Sequence, residues 1–454
     1  MVRRVFAGRR WIVAMDVLVG AAWQAKGLMD LGAAAVLAIG ARRGVGEIPE
    51  GIETINLDRP RLPMMRAIRD ADAALNDLPQ DIRDRVDDFD PGHTARAVRT
   101  IFSSGAPVAG RPTYGARPAA WQALEDKTVI DALWDAVGVP RADSVVVPLD
   151  RDALDAASRQ LDQGDGVVWA GDNHSGFHGG ARFTRWIKTS HQADAAVQHL
   201  HGHCRTARVM PLLEGIPCSI HGAVFPDHVI ALRPCEMLVF RRPDGRFLYA
   251  AAATVWDPPD EDRAQMRQMA KTVGTHLRDT VGYRGVFTID GVLTADGFRP
   301  TELNPRFGAA IGVLTRGIPK LPLHLLNLAI VEGEDLDWQA KAIEQRILEH
   351  ADTNRDIRVG AMIDVRVEGE IREKLMVEDD AVRPSLEGET PDASLVAGPN
   401  GGGTYVHINL KQPRTAWIGA SAAPIAVRLL RYVEQAHGIP VGPLQAAPER
   451  RRMG

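Results

Sequence analysis

The stretch FTIDGVLTADGFRPTELNPRFG, residues 287–308, gathers four polar side chains in a segment that otherwise alternates. They are Asp290, Glu302, Asn304 and Arg306. The alternation predicts two β-strands, because successive side chains of a strand point to opposite faces. Ala295-Asp296-Gly297 separates them and predicts a three-residue hairpin loop with the glycine at positive φ. In that register Thr294 faces Phe298, Asp290 faces Glu302, and the other two polar residues continue on the same face.

Asp290 and Glu302 are then two carboxylates opposed across a hairpin. Opposed residues have Cβ atoms about 5 Å apart, and like charges at that distance are destabilising. A shared proton, a bound cation and a solvated surface hairpin are the alternatives. A cation is favoured because the Asn304 carbonyl adds a third oxygen, and Mg²⁺ binds few protein oxygens while keeping waters and sharing phosphate oxygens. Arg306 lies two residues after Asn304 on the same face, where its guanidinium could form bidentate hydrogen bonds to a phosphoryl group.

The composition of the whole chain is that of a globular protein. Its 454 residues are 45% hydrophobic and 25% charged, which predicts about two to four domains. The formal net charge of −4 argues against nucleic acid as a partner, since a nucleic-acid-binding face is usually basic. No apolar run reaches the ~18 residues of a membrane span. The three cysteines form no CxxC motif, so we expect a cytoplasmic protein without a disulfide framework and without a membrane partner.

The front of the chain has an α/β pattern. A strand over 11–20, a glycine turn, a helix that ends at Gly32 and a strand over 33–40 predict a parallel layer. The glycine- and proline-rich stretch 103–118 predicts a domain boundary.

Later segments predict further elements. A helix over 124–140 carries Val129 on its apolar face. Residues 166–170 read as a strand before a glycine-rich loop. In the last region 360–377 predicts a hairpin with its turn at 368–370, and a helix closes the chain.

The segment Glu302-Leu303-Asn304-Pro305-Arg306 resembles the closing Glu-x-Asn-Pro-Arg pattern of the ATP-grasp family, and Asp290 resembles its first metal carboxylate. The resemblance covers roughly residues 1–330 and implies an α/β (α+β) fold class. It implies an ATP-grasp fold after a Rossmann-like pre-ATP-grasp domain, followed by an extra mixed α+β C-terminal domain. The expected ranges are 1–118, 119–335 and 336–454, with a lid subdomain at about 119–205 and a metal and nucleotide subdomain at about 206–335.

The resemblance also implies cofactors and site residues. The cofactors are ATP and Mg²⁺, with two ions expected and Mn²⁺ able to substitute. The implied metal ligands are Asp290, Glu302 and Asn304, and the implied catalytic residue is Arg306. The implied cofactor-binding residues are Lys127, the loop residues Ser175, Gly176, His178, Gly179 and Gly180, and the hinge residues Met210, Pro211, Leu212, Leu213 and Glu214.

The chain departs from the family pattern at four positions. Trp169 and Ala170 follow Val167-Val168, where the family usually has a lysine and a proline. Met210 replaces a common Glu or Gln of the hinge, and Pro217 replaces a Glu that often holds the ribose. The cations considered as replacements for the missing lysine are Arg182, Arg185 and Lys188.

Within the family the chain resembles the pheganomycin-type peptide ligases of natural product and antibiotic biosynthesis. This implies an ADP-forming ligase that activates a carboxylate as an acylphosphate and joins it to an amine, with a peptide N-terminus as the expected amine. Expected partners are a small carboxylic acid of the amino-acid type and an amine or peptide, and the oligomeric state stays open, with a homodimer as one alternative. The competing functions are an ATP-dependent carboxylase or phosphotransferase, and a nucleotide-binding regulatory protein without turnover.

Overall fold

The computed structural model describes residues 3–176, 179–400, 403–411 and 414–448. Within these ranges the strands form three sheets of four, twelve and four strands. Over the same residues, no helix combines the length and apolar character needed to cross a bilayer.

The helices, in chain order, are α1 (Arg3–Phe6), α2 (Leu18–Asp30), α3 (Met64–Asn76), α4 (Gln80–Phe89), α5 (Ala119–Gln122), α6 (Ile130–Ala136), α7 (Arg151–Leu161), α8 (Ser190–Leu200), α9 (Asp260–Val281), α10 (Ala309–Thr315), α11 (Leu323–Glu332), α12 (Ala340–Thr353) and α13 (Ala423–His437). Short 3-10 helices cover Ala123–Glu125 and Thr415–Trp417.

The strands, in chain order, are β1 (Arg10–Val17), β2 (Ala35–Arg42), β3 (Glu53–Asn56), β4 (Arg96–Arg99), β5 (Val145–Pro148), β6 (Val167–Gly171), β7 (Thr184–Ile187), β8 (Thr206–Pro211), β9 (Ile216–Val224), β10 (Val229–Ala231), β11 (Cys235–Arg241), β12 (Phe247–Ala253), β13 (Gly285–Thr294), β14 (Gly297–Asn304), β15 (Asp356–Ile363), β16 (Ile371–Val377), β17 (Val382–Pro384), β18 (Ala393–Asn400), β19 (Gly403–Lys411) and β20 (Gln445–Ala446).

The N-terminal sheet is parallel, with the strand order β3-β2-β1-β4, which confirms the predicted strand–helix–strand layer. The connection from β1 to α2 is tighter than expected. β1 ends at Val17 and α2 begins at Leu18, so Gly20 lies inside the helix and the predicted glycine turn is wrong. Gly40 on the neighbouring β2 permits this connection, because a Cβ there would come within 2.5 Å of the Cα of Leu18.

The second sheet is antiparallel, has the order β5-β8-β6-β7, and packs against α7 and α8. We call it the lid sheet. Trp169 of β6 lies in its core without exposed surface and donates its indole N–H to Ser158 Oγ at 2.9 Å. β8 belongs to this sheet, although its residues lie beyond the subdomain boundary expected near 205.

The large sheet has the order β14-β13-β9-β11-β12-β15-β19-β18-β16-β17. β12 pairs with β15 from Ala251 opposite Val359 to Ala253 opposite Ile357. The sheet therefore continues across the domain boundary expected at 335, and the C-terminal strands extend it.

Residues 360–377 do not form the predicted hairpin. β15 pairs with β12 and β19, whereas β16 pairs with β18 and β17. Both strands exist, but an alternating pattern reports only which face of a strand is buried. It does not report which strand is the neighbour.

The helix predicted over 124–140 is shorter in the structure. Only 130–136 is α-helical, and Val129 is 52% exposed instead of buried. Ile130 and Trp134 are fully buried as expected. The preceding turn leaves Val129 at the surface.

We predict opposite effects for two glycine-to-alanine substitutions at the first β–α connection. Gly40→Ala should lower stability by about 1–3 kcal/mol, because its Cβ meets the backbone of Leu18. Gly20→Ala is the matched control. Its Cβ meets nothing within 4 Å, and it should be neutral or stabilising by up to about 1 kcal/mol. Thermal unfolding by calorimetry checks the pair, and equal melting temperatures would contradict the tight connection.

Candidate functional site

β13 and β14 form the predicted hairpin, with a difference at the tip. Thr294 pairs with Gly297, so the loop has two residues, and the expected pairing of Thr294 with Phe298 is wrong. A register shift directly after Asp290 adds one unpaired residue to β14, and Asp290 therefore pairs with Glu302 as predicted. The shorter loop alone would shift the pairing of β13 with β14 by one residue, and the bulge cancels that shift from Asp290 onward.

The carboxylate of Asp290 is held from two strands. Its Oδ1 accepts a hydrogen bond from Ser219 Oγ at 2.5 Å, and its Oδ2 accepts one from Asn304 Nδ2 at 2.8 Å. The pKa of Asp290 is raised to about 6, first by burial and second by the charge of Glu302, against the opposing effect of the Ser219 hydrogen bond. The opposed pair thus forms a site of concentrated negative charge that a cation stabilises.

Basic side chains from other segments compensate this charge. Lys127 Nζ lies 2.7 Å from Glu302 Oε1. Arg306 donates through Nη2 to Asn304 Oδ1 at 2.7 Å and through Nε to Glu125 Oε2 at 3.0 Å. The site therefore combines two acidic and two basic groups that come from separate parts of the chain.

Glu125 also holds a second arginine. Its Oε1 accepts from Arg117 Nη1 at 2.5 Å, and the carboxylate is 3% exposed. Arg117 further donates to the backbone oxygens of Pro305 and Ile101. The buried Glu125 thereby fixes the guanidinium of Arg306 from the side away from Asn304.

The donor set fits a magnesium ion. Asp290 and Glu302 offer two carboxylates, while the Asn304 amide presents its nitrogen to Asp290 and its oxygen to Arg306. The amide must therefore turn before its oxygen joins the set. Two carboxylates suit Mg²⁺, which takes one or two carboxylates and completes its shell with water and phosphate. Over the described residues, no group of three or more His, Cys, Asp or Glu side chains surrounds a metal position.

A cavity of about 340 Å³ opens over this site and is called the main cavity. Its volume is within the ~300–1,000 Å³ of small-molecule pockets. Its polar lining residues include Lys127, Asp290, Glu302, Asn304 and Arg306. Its apolar lining residues include Met210, Leu212, Leu213, Met237, Val239 and Phe247. The cavity therefore suits a ligand that has both charged and apolar parts.

The hinge residues lie mostly along this cavity. Its lining includes Met210, Pro211, Leu212 and Leu213, and also Pro217. Glu214 is not among the lining residues, and its Oε1 accepts from Arg241 at 2.6 Å. The backbone N–H of Leu212 donates to Gly166 O at 3.0 Å, so it is used within the protein.

The glycine-rich loop is only partly at the cavity. Gly179 and Gly180 line it, whereas Ser175 and Gly176 do not. Gly176 has φ +87° and donates its N–H to Asn173 O at 2.7 Å, which forms a turn at the start of the loop. His178 lies outside the described residues.

Trp169 does not face the cavity. Because β6 alternates, its neighbours Val168 and Ala170 face the cavity while Trp169 enters the lid core. Over the described residues, the cavity lining does not include the basic residues considered as replacements for the missing family lysine, which are Arg182, Arg185 and Lys188.

Arg208 lines the cavity instead. It is 1% exposed and lies on β8 directly opposite Ala170. Its Nε donates to Asp131 Oδ2 at 2.8 Å, its Nη2 lies 2.7 Å from Asp131 Oδ1, and its Nη1 donates to Thr301 O at 3.3 Å. Arg208 thus connects the lid sheet to the hairpin that carries the acidic pair.

Other cavity residues had no sequence signal of function. Ser219 and His221 on β9 and Tyr249 on β12 reach the cavity, the first two because β9 pairs with β13 and the third from two strands beyond β9 in the same sheet. Glu125 precedes the predicted Lys127 in the segment Glu125-Asp126-Lys127, but nothing in the sequence indicated that it pairs with Arg117 and Arg306. Their roles depend on contacts between distant segments.

The chain is similar to three solved structures, each at low identity. A carboxyaminoimidazole ribonucleotide synthase from Aspergillus clavatus complexed with ATP has a TM-score of 0.53 and 13% identity, covering 96% of this chain and 100% of that chain. An ADP complex of purK, an N5-carboxyaminoimidazole ribonucleotide synthetase, has a TM-score of 0.52 and 11% identity. The match covers 94% of this chain and 98% of that chain.

The third is the biotin carboxylase domain of the Hydrogenobacter thermophilus 2-oxoglutarate carboxylase, in complex with MgADP, ADP and bicarbonate. It has a TM-score of 0.56 and 13% identity, covering 89% of this chain and 86% of that chain. No family model matches the chain, and no curated protein matches its sequence. The structural likenesses confirm the predicted ATP-grasp fold.

We predict that Arg208 and Asp131 act as a coupled pair. Arg208→Met should lower the free energy of unfolding by roughly 2–3 kcal/mol, less than for a fully buried pair because Asp131 is partly exposed. Asp131→Asn should cost a similar amount, and the double variant should cost clearly less than the sum. Urea unfolding of the four proteins measures the coupling, and additive losses would contradict it.

Proposed function

We propose that the chain is an ATP-dependent, ADP-forming carbon–nitrogen ligase. It activates a substrate carboxylate as an acylphosphate and joins it to an amine, with a peptide N-terminus as the expected amine. One observation carries the proposal: Asp290, Glu302, Lys127 and Arg306 converge in the wall of one cavity that is also lined by apolar side chains. The fold, which it shares with structures of ATP and ADP complexes, supports it.

The main cavity would bind ATP with its base against the apolar lining residues. Asp290, Glu302 and Asn304 would hold Mg²⁺, two ions in the family pattern, or Mn²⁺ in its place. Bound metal neutralises the charge on the terminal phosphates. When Glu302 turns to the metal, Lys127 is released to contact phosphate, because its present partner is the Glu302 carboxylate.

The first step transfers the terminal phosphoryl group to the substrate acid. A carboxylate oxygen of the acid attacks the γ-phosphorus, the bond from that phosphorus to the bridging oxygen breaks, and ADP leaves with the electron pair. Arg306 stabilises the negative charge of the transferring group. Glu125 and Asn304 hold the guanidinium from two sides, so little reorganisation is required.

The second step forms the amide. The amine, in its neutral form, attacks the acyl carbon, the bond from carbon to the phosphate oxygen breaks, and phosphate leaves with the electron pair. The nitrogen then gives its excess proton to the departing phosphate. Gly179 and Gly180 border the cavity, and closure of their loop would exclude the water that otherwise hydrolyses the acylphosphate.

An ATP-dependent carboxylase is the second candidate, because the Hydrogenobacter thermophilus structure contains bicarbonate. A phosphotransferase would use the same residues for the first step alone. A binding protein without turnover was suggested by the missing lysine, and Arg208 at the cavity wall weakens that argument.

We predict that ADP release requires an acid and an amine together. The assay measures ADP with MgATP and panels of amino acids and dipeptides, with bicarbonate as a separate acid. Hydroxylamine is then added to trap any acylphosphate as a hydroxamate. Release with bicarbonate only would indicate a carboxylase, release with an acid alone and a stable acylphosphate would indicate a phosphotransferase, and no release would indicate a binding protein.

We predict that Arg306→Ala lowers kcat by about 10²–10³-fold, because a fixed charge at the transferring group is lost. Arg278→Ala on the exposed side of α9 is the control and should leave kcat unchanged. Steady-state ADP release measures both variants. Wild-type turnover of a folded Arg306→Ala protein would exclude the residue from the reaction.

Metal dependence provides a further prediction. Asp290→Asn should raise the Mg²⁺ concentration required for binding of a fluorescent ADP analogue, since one ligand charge is lost. Asp296→Asn, at the exposed tip of the same hairpin, should have no effect. The measurement is a Mg²⁺ titration at fixed nucleotide, and equal midpoints for the two variants would contradict a metal site at Asp290.

A further inference from the structure

One side of α10 is open from the main cavity to the end of the helix. Ala309, the first residue of α10, lines the main cavity and is exposed. Gly312 and Arg316 follow it at a spacing that places all three residues on one side of the helix, and both are half-buried. A Cβ on Gly312 would meet nothing within 4 Å. We call the space beside these residues the α10 groove.

The large sheet forms the floor of the α10 groove. Tyr249 on β12 lines the main cavity, Gly360 lies on the next strand, β15, and His407 lies opposite Gly360 on β19. Their sequence neighbours all enter the core on the other face of the sheet; these are Leu248, Ala250, Val359, Ala361, Val406 and Ile408. Because side chains alternate along a strand, Tyr249, Gly360 and His407 face the groove.

Two arginines lie at the far end of the α10 groove. Arg316 Nη1 donates to Asn409 Oδ1 at 3.2 Å and lies 3.4 Å from Asp356 Oδ2. Arg358 Nε lies 3.7 Å from the same carboxylate oxygen. Over the described residues, neither arginine has a second carboxylate within ion-pair distance. Two guanidinium groups therefore share one carboxylate, and the end of the groove keeps a net positive charge.

The two arginines have donors that the protein does not use. Nε and Nη2 of Arg316 and Nε of Arg358 are buried, and among the described residues they have no hydrogen-bond partner. A buried donor of a charged group is costly without an acceptor, so an acceptor that arrives from the groove would be stabilised. The two side chains are still 30% and 27% exposed, which gives a ligand access to them.

The charge and the length of the α10 groove favour the carboxylate end of a short peptide. A single net positive charge matches a carboxylate better than a doubly charged phosphate, and the planar guanidinium fits two carboxylate oxygens. At a helical rise of 1.5 Å per residue, Arg316 lies about 10 Å along the axis from Ala309. An extended peptide covers that length with about three residues.

We propose that the α10 groove binds the peptide substrate, with its N-terminal amine towards the main cavity and its C-terminal carboxylate on Arg316 and Arg358. The inference rests on the proposed ligase function. It names the amine substrate as a peptide of about three residues with a free carboxylate. The amine approaches the acyl group along a continuous surface, because Ala309 borders both the main cavity and the groove.

Isothermal titration calorimetry with L-alanyl-L-alanyl-L-alanine tests the site without turnover. The C-terminal amide of the same tripeptide is the matched probe, and both are used at up to about 10 mM, which exceeds typical KM values. The tripeptide acid should bind the wild-type protein roughly tenfold or more tightly than the amide, because only the acid makes charge-assisted hydrogen bonds with both partners charged.

Variants of the arginines locate the binding. Arg316→Met should weaken binding of the tripeptide acid by roughly tenfold or more and should leave binding of the amide unchanged. Arg358→Met should have the same effect and is an independent second variant. Arg278→Met on α9 is the control, because its side chain has the same 30% exposure as that of Arg316. It should bind the acid as the wild-type protein does.

Three results would overturn the peptide site: equal affinity for the acid and the amide, no binding of either, or wild-type affinity in arginine variants whose melting temperatures are unchanged. Displacement of the tripeptide by an equal concentration of inorganic phosphate would also overturn it, because that result identifies a general anion site.

ADP release tests the ligase function separately. Binding of the tripeptide acid without ADP release in the presence of any acid would leave the peptide site and remove the ligase function. ADP release with equal KM for the tripeptide and its amide would leave the ligase function and remove this site.

Discussion

Two carboxylates that face each other across a narrow hairpin are the constraint on which the rest of the site depends. Asp290 and Glu302 are brought opposite each other by a β-bulge, at a separation where like charges repel. The protein does not separate them. Lys127, which is 175 residues from Glu302 in sequence, supplies one compensating charge, and Ser219 from β9 donates to Asp290. The hairpin therefore fixes the position of the segment before α6 and of the neighbouring strand.

Arg306 is held in place from two sides. Its guanidinium donates to Asn304, which lines the main cavity, and to the buried Glu125. Glu125 can be buried because it binds two arginines, and this arrangement satisfies a charge that would otherwise be costly to bury. The guanidinium therefore has a fixed position at the wall of the main cavity.

The lid sheet brings a cation to the cavity wall from β8. Trp169 on β6 contributes to the lid core, while Arg208 on the adjacent strand brings a guanidinium to the cavity wall opposite Ala170. A small residue on one strand leaves space for a long one on the next, since opposed side chains share a face. The large sheet then carries the cavity floor from β14 to β12 and continues into the C-terminal strands.

Local pattern alone determined the two strands of the hairpin, the pairing of Asp290 with Glu302 and the parallel layer at the N-terminus, because side-chain alternation reports burial and spacing within a few residues. The ATP-grasp fold was implied by the resemblance of the Glu302–Arg306 segment to the motif of that family. Tertiary structure decided the two-residue loop and its compensating bulge, the partners of β15 and β16, the exposure of Val129, and the presence of Arg208 in the cavity wall. Each of these depends on a contact between segments far apart in the chain. The free energy of such contacts comes from packing and charge pairing that no local stretch of sequence contains.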